Sequence, residues 1–254
     1  MQVFVDEATD FSPIQLACTM ELTHPAIRSW FASGDILQRV TSQGIRDLSE
    51  LALVDRLAES ALDIRNVDIG YRQSRRLREL VVALARIGGV RRALIAAPDS
   101  NGEADVMPLL LEDATPESTA HWIADRITEI ETALRSLPSI AVFVDGDGRI
   151  DPLVASLRGH LAPHNIQVVG CKEGRVIGDN QEVRVFDVRH IKGLEFEAVF
   201  FVGLDDLESS SPDLWERYFY VGASRAATYL AVTTGKGLPA QLAELRPHFD
   251  GSAW

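Results

Sequence analysis

The sequence predicts an α/β protein with a mainly parallel sheet covered by helices on both faces, and three observations carry that prediction. Short apolar runs that read as strands recur along the chain at residues 2–5, 29–33, 66–70, 93–97, 106–111, 140–144, 166–169, 183–188, 198–202 and 229–233. Most are separated by segments with helical periodicity, at 13–21, 74–87, 115–134, 152–161 and 212–226. Strands joined through helices imply right-handed crossovers, and hence parallel pairing. The third observation is composition: 254 residues, 46% hydrophobic and 24% charged, is ordinary for a chain with one or two packed cores.

Each element has a local cause. The first strand ends abruptly in Asp6-Glu7, which places two acids at its carboxyl end. Ser12-Pro13 is a helix start, a hydroxyl cap followed by proline at the first helical position. Gly34-Asp35 closes the second strand, and a polar stretch follows. In the helix at 74–87, Leu77, Leu80, Val81, Leu84 and Ile87 share one face until Gly88-Gly89 stops it. Asp99-Ser100-Asn101-Gly102 reads as a turn joining two strands, and Thr115-Pro116 opens the long helix that follows. Asp145-Gly146-Asp147-Gly148 is a strand-to-helix turn and not a calcium loop, because Arg149 and Ile150 stand where an acceptor and a glycine are needed. Trp30, Trp122 and Trp215 fall in strand or helix patterns and are assigned to the core, whereas Trp254 is expected to be mobile.

Composition also excludes classes. The longest apolar runs fall far short of the roughly 20 residues that span a bilayer, and no basic-then-apolar leader opens the sequence. Cys18 and Cys171 have no Cys or His at zinc spacing, so a reducing, cytoplasmic setting is expected, without a disulfide framework. A net charge of −12 argues against a wholly basic surface, although Arg72, Arg75, Arg76, Arg78, Arg86, Arg91 and Arg92 form a local concentration.

The chemistry lies in five short clusters. Val3-Phe4-Val5-Asp6-Glu7-Ala8-Thr9-Asp10 resembles the Asp-Glu-Ala-Gln-Asp segment of the UvrD/Rep-type superfamily 1 helicases, with Thr9 in place of Gln. Gly34-Asp35-Ile36-Leu37-Gln38, Tyr71-Arg72-Gln73-Ser74, His190-Ile191-Lys192-Gly193-Leu194-Glu195-Phe196 and Tyr220-Val221-Gly222-Ala223-Ser224-Arg225-Ala226 resemble four further motifs of that family, in the family's order. The resemblance covers residues 1 to about 42 and 62 to about 235 and implies RecA-like folding. Residues 1–60 would be a remnant of the first helicase domain, 61–240 a complete second domain, and 241–254 a tail. It also implies an ATP-dependent DNA helicase. Asp6 would bind Mg²⁺, Glu7 would activate water, Gln38 would sense the γ-phosphate, and Tyr71 would stack on adenine. Arg72 and Arg225 would neutralise charge on the transferred phosphoryl group. Gly193 and Glu195 would meet the nucleotide, Glu195 at the ribose, and His190 and Lys192 would contact single-stranded DNA.

The sequence departs from the family in three ways. The phosphate-binding Gly-x-x-x-x-Gly-Lys-Ser/Thr loop is nowhere in these 254 residues, which implies a missing amino-terminal helicase domain and no ATP turnover by the chain alone. The base-stacking aromatic pair is replaced by Thr41 and Gln43, and only residues 172–181 stand where processive members insert an accessory domain. The alternative is a non-catalytic, helicase-like binding module that has lost the loop.

Overall fold

Two parallel strands, β1 (Val3–Val5) and β2 (Trp30–Ala32), begin the computed structural model, which describes residues 1–41, 43–58, 62–65, 69–70, 73–87, 95–96, 106–251 and 253–254. The chain divides into two units, Met1–Val67 and Asp68–Trp254. In the first, Ser12 and Gln15 form a reciprocal capping box that starts α1 (Pro13–Glu21), as the Ser-Pro signal predicts. The polar stretch, to which the sequence assigns no element, contains a capped 3-10 turn at Leu48–Leu51 and α2 (Ala52–Ala58). Its short apolar pattern is too brief to declare a helix until Val54 is buried beside Leu16, Met20 and Ile45. On the other side of the strand pair, Phe4 lies opposite Phe31 with ring centroids 6.1 Å apart, both well exposed.

In the second unit, β3 (Ile69–Gly70) precedes α3 (Arg75–Ile87) and pairs in parallel with β4 (Ile95–Ala96). The main sheet begins with β5 (Leu109–Leu111), followed by α4 (Pro116–Leu134), β6 (Ile140–Val144), α5 (Ile150–Leu161), β7 (Val168–Cys171), β8 (Val183–Asp187) and β9 (Phe196–Phe201). Two helices, α6 (Leu204–Ser210) and α7 (Trp215–Ser224), then lead to β10 (Ala226–Thr233). The six strands lie in the order β5-β10-β9-β6-β8-β7, and every pairing is parallel.

Strand alternation explains why both faces are covered. Ile140, Val142, Val144, Ala198, Phe200 and Ala231 project into one core beneath α4 and α5. Phe143 and Phe201 project the other way, against Gly222 of α7, and α3 packs on α7 and β10. Gly222 is there because a Cβ would lie 2.7 Å from the Phe201 ring and 3.3 Å from Phe143. The Phe143–Phe201 and Phe201–Phe219 rings meet edge to face, a geometry that adds about 0.5–1.5 kcal/mol per pair beyond area burial.

Three expectations are corrected here. The strands on either side of residues 99–102 are not a hairpin: β4 pairs with β3 and β5 with β10, all in parallel, and the turn itself lies outside the described residues. Distant parallel partners, which a local turn signal cannot reveal, decide the pairing. The helix expected at 212–226 is α7 alone, with Ala226 already in β10, and α6 precedes it. Trp254, expected to be mobile, is held, and earlier in the same segment Leu242 and Leu245 are fully buried while Asp250 exchanges backbone hydrogen bonds with Pro108 and Leu110. Trp254 donates its indole N–H to the Met107 carbonyl at 2.8 Å and packs on Phe200 and Tyr229. An indole with an apolar seat and a hydrogen-bond acceptor is held wherever it falls in the chain. Among the described residues no helix is long and apolar enough to cross a membrane.

Candidate functional site

In the first unit the expected acids stand at the carboxyl end of β1, where the chain leaves the strand in a tight turn. Glu7 has φ 53°, a left-handed conformation uncommon for a residue with a side chain, and the 3-10 turn Ala8–Asp10 follows it. Asp6 Oδ1 accepts hydrogen bonds from the Glu7 N–H at 2.9 Å and from the Ser33 hydroxyl at 2.8 Å. The next contacts link this turn to the Gly-Asp motif. Thr9 donates its hydroxyl to the Asp35 carbonyl at 2.9 Å, and Gln38 donates its amide to Asp35 Oδ2 at 3.1 Å. A Cβ on Gly34 would come within 3.0–3.1 Å of the Ala8 and Thr9 backbone nitrogens, so glycine lets the two motifs approach.

These residues suit the ion that the resemblance implies. One exposed carboxylate with a serine hydroxyl beside it is a donor set that Mg²⁺ uses when water and phosphate oxygens complete its octahedron. Among the described residues no group of three or more His, Cys, Asp or Glu could hold a metal unaided. Thr41, at an expected stacking position, donates its hydroxyl to the Asp10 carbonyl at 3.0 Å.

In the second unit, three of the sequence clusters meet at the amino-terminal ends of β9 and β10. Arg225 is the last residue before β10, and its carbonyl accepts the N–H of Phe196, the first residue of β9, at 2.9 Å. Its guanidinium donates to the Leu194 carbonyl at 3.4 Å, the Ser224 hydroxyl at 3.2 Å and the Val221 carbonyl at 3.3 Å, and the residue is only 8% exposed. Gln73 and Ser74 arrive from the other side. The Gln73 amide reaches the carbonyls of Ala223 and Ala226, and the Ser74 N–H donates to Ala227 at 2.7 Å. Tyr71 and Arg72, which directly precede this pair in sequence, lie outside the described residues.

The connection from β8 to β9 explains where the remaining motif residues fall. Parallel strands are usually joined by a dozen or more residues with a helix, but here residues 188–195 pass from the carboxyl end of one strand to the amino end of the other with only a 3-10 turn, Val188–His190. Ile191 is fully buried and anchors the crossing. His190 is exposed near the carboxyl edge, beside Gly174, whose missing side chain would touch its ring at 3.5 Å. Lys192 is half-buried, whereas Gly193 (φ 78°) and Glu195 are exposed at the amino edge. The motif therefore splits: His190 lies at one edge of the sheet, and Gly193 and Glu195 lie at the other.

Sequence reasoning gave no role to Asp187 or Gln73. Asp187 is 3% exposed and accepts from the Arg189 backbone and side chain at 3.1 and 2.9 Å and from the Gly146 N–H at 3.3 Å. That carboxylate pushes Arg189 above its ordinary pKa, while burial pushes the nearby Tyr218 phenol up. An acid ending an apolar strand two residues before an arginine was the available signal for Asp187. Gln73 was visible inside its motif, but its partners are about 150 residues away in sequence.

Fold and site together define an α/β protein of mainly parallel sheet, with its motif residues gathered at strand ends. Comparison with known proteins adds a likeness over part of the chain: residues 182–233 match the model of the UvrD-like helicase C-terminal domain. The fold is also that of a solved C-terminal domain of a possible DNA helicase from Lactobacillus plantarum, with a TM-score of 0.52 at 17% identity, covering 72% of this chain and 98% of that one. No curated protein sequence matches the chain.

Proposed function

We propose that the chain is the carboxyl-terminal part of a cytoplasmic, ATP-dependent superfamily 1 DNA helicase or translocase whose missing amino-terminal domain carries the phosphate-binding loop. The observation that carries this reading is the hydrogen bonding of residues 73–74, 194–196 and 223–228 at one edge of the sheet. A module that only bound a partner would have no need to keep Asp6, Glu7, Gln38, Arg72 and Arg225 in its sequence.

In this reading Asp6, with Ser33 beside it, would hold Mg²⁺, which would supply charge neutralisation at the phosphates. Glu7 accepts the proton of the attacking water as its oxygen bonds to the γ-phosphorus and the bond to the ADP oxygen breaks. Gln38 senses the γ-phosphate, Tyr71 stacks on adenine, and Gly193 and Glu195 meet the sugar side of the nucleotide. Arg72 and Arg225 neutralise charge that develops on the phosphoryl oxygens, a contribution of about 10³–10⁵ in rate where an arginine plays this part. His190 and Lys192 contact the phosphates of a single strand.

The test is single-strand-stimulated ATP hydrolysis by the longer protein that includes the phosphate-binding loop. Glu7→Gln and Arg225→Ala should each lower turnover about a thousandfold while leaving nucleotide affinity within a few-fold. Unchanged turnover in Arg225→Ala removes that residue from the reaction. The 254-residue chain alone should turn over no ATP, and hydrolysis by it that Glu7→Gln abolishes would overturn the requirement for the loop.

With Thr41 and Gln43 in place of aromatics, strand binding should rest on phosphate contacts, so affinity should fall steeply with salt and ignore base identity. A shallow salt slope with a large loss on abasic strands would reveal a stacking platform elsewhere. The absence of a phosphate-binding loop from the chain favours a second reading, a helicase-like binding module without hydrolysis. Strand binding by the longer protein with no ATP turnover would select it.

A further inference from the structure

We infer that Gln73 is a positioning residue for Arg225, holding the short turn between α7 and β10 from both ends. This inference rests on the proposed role of Arg225 at a phosphoryl group. The side-chain amide of Gln73 donates to the Ala223 carbonyl at 3.1 Å and to the Ala226 carbonyl at 3.0 Å. Two carbonyl acceptors can be met only by the NH₂ end of the carboxamide, so chemistry fixes the orientation of the group.

Those two carbonyls bracket Ser224 and Arg225. Ala223 belongs to the last turn of α7, where helix carbonyls run out of partners within the helix, and Ala226 is the first residue of β10. Between them the Arg225 N–H donates to Gly222 at 3.1 Å, and its carbonyl accepts from Phe196. Gln73 is itself held: its carbonyl accepts from Arg78 at 2.5 Å, the Arg78 N–H donates to Ser74 at 2.9 Å, and Ser74 bonds the Ala227 carbonyl. The start of α3 is thus tied to the backbone on both sides of Arg225.

The test uses the ¹⁵N-labelled 254-residue chain and the Arg225 Nε–H cross-peak, assigned by its loss in Arg225→Lys. Gln73→Met keeps the side chain's length but removes both donors. It should shift that cross-peak and speed its exchange with water roughly five- to tenfold, about one hydrogen bond's worth, while the amides of α4 and α5 stay in place. Gln73→Lys, which restores donors, should return the signal toward its original position. Gln73→Glu supplies a pH profile that a merely structural role would not produce: once ionised, the introduced carboxylate faces two carbonyls, so the cross-peak should move as that group titrates. The parent chain should show no matching transition. An Arg225 signal unmoved by Gln73→Met and flat with pH in Gln73→Glu overturns the inference, and if Gln73→Met does not fold, the other two variants decide.

The role of Arg225 in catalysis is read separately. In the longer protein, Gln73→Met should lower kcat with KM little changed, and Gln73→Lys should recover it. If Arg225→Ala leaves turnover intact, the ATP reading fails while the positioning result stands.

Discussion

The two edges of the six-stranded sheet are held in different ways. At the amino edge of β9 and β10, Gln73, Ser74 and Arg225 bond mainly to backbone carbonyls, those of Leu194, Val221, Ala223, Ala226 and Ala227. At the carboxyl edge the contacts are ion pairs: Asp187 with Arg189, Arg149 with Asp206, Lys172 with Asp151, and Glu112 with Arg246. Open α/β sheets usually bind ligands outside the carboxyl ends of their strands. In this chain four ion pairs tie that edge together, and of the motif residues Arg225, Gln73, Gly193 and Glu195 lie at the opposite edge while His190 stays at the carboxyl one.

The most direct way to break the amino edge is to unseat α7. A valine at Gly222 would drive its Cβ to 2.7–3.3 Å from the Phe201 and Phe143 rings, which are fixed in the core on both sides. Gly222→Val should cost about 3 kcal/mol, the upper end of ordinary overpacking, measured by urea denaturation. It should also disturb the Arg225 side-chain signal before the rest of the sheet melts. A stability within about 0.5 kcal/mol of the parent would show that α7 can lift away cheaply and that the amino edge does not depend on this seat.

The same contrast explains what was legible in the sequence. α4 and the central strands β6, β8 and β9 follow from apolar runs, a Thr-Pro start and helical periodicity, because each is decided by its own residues. The capping box at Ser12 is local too. The parallel pairing of β5 with β10 and the hydrogen bond that seats Trp254 depend on partners more than 100 residues away, and no local pattern encodes them. The candidate site divides likewise: Asp6, Gln38 and Arg225 were named from short motifs. That Arg225 would face the Leu194 carbonyl, or that Gln73 would brace its turn, required the fold.

At the carboxyl edge, the largest single effect is expected from Asp187. It is nearly fully buried, and one oxygen accepts from both Arg189 groups and from Gly146. Arg189 is about half exposed, so water screens part of the pair, and Asp187→Ala should cost about 2 kcal/mol, less than breaking a fully buried pair. Asp187→Asn, which keeps an acceptor, should recover roughly half of that. If both variants leave the melting temperature unchanged, the carboxyl edge is held by strand packing alone and its ion pairs are incidental.

The smallest effect belongs to Glu112, just beyond the end of β5. One of its oxygens accepts from Arg246 and the other from the Leu238 N–H at 3.1 Å, joining the end of the sheet to the carboxyl-terminal segment. The Arg246 hydrogen bond, aided by Leu238, holds the Glu112 carboxyl below its usual value against the opposing pull of burial. A carboxyl whose folded pKa is depressed adds stability that is complete above its unfolded pKa of about 4.3 and lost as pH falls through the folded value. Arg246 is more than half exposed, so the contribution should stay below about 1 kcal/mol. Glu112→Gln should therefore destabilise the chain slightly at pH 7 and hardly at all near pH 3, so that the two stability curves converge as pH falls from about 5. Added salt should narrow the gap at pH 7, because Arg246 is open to solvent and mobile ions can screen the pair. A gap that persists unchanged at pH 3 would mean that Glu112 acts as a neutral acceptor for Leu238 and that its charge contributes nothing. The carboxyl edge would then be held there as the amino edge is, by uncharged hydrogen bonds.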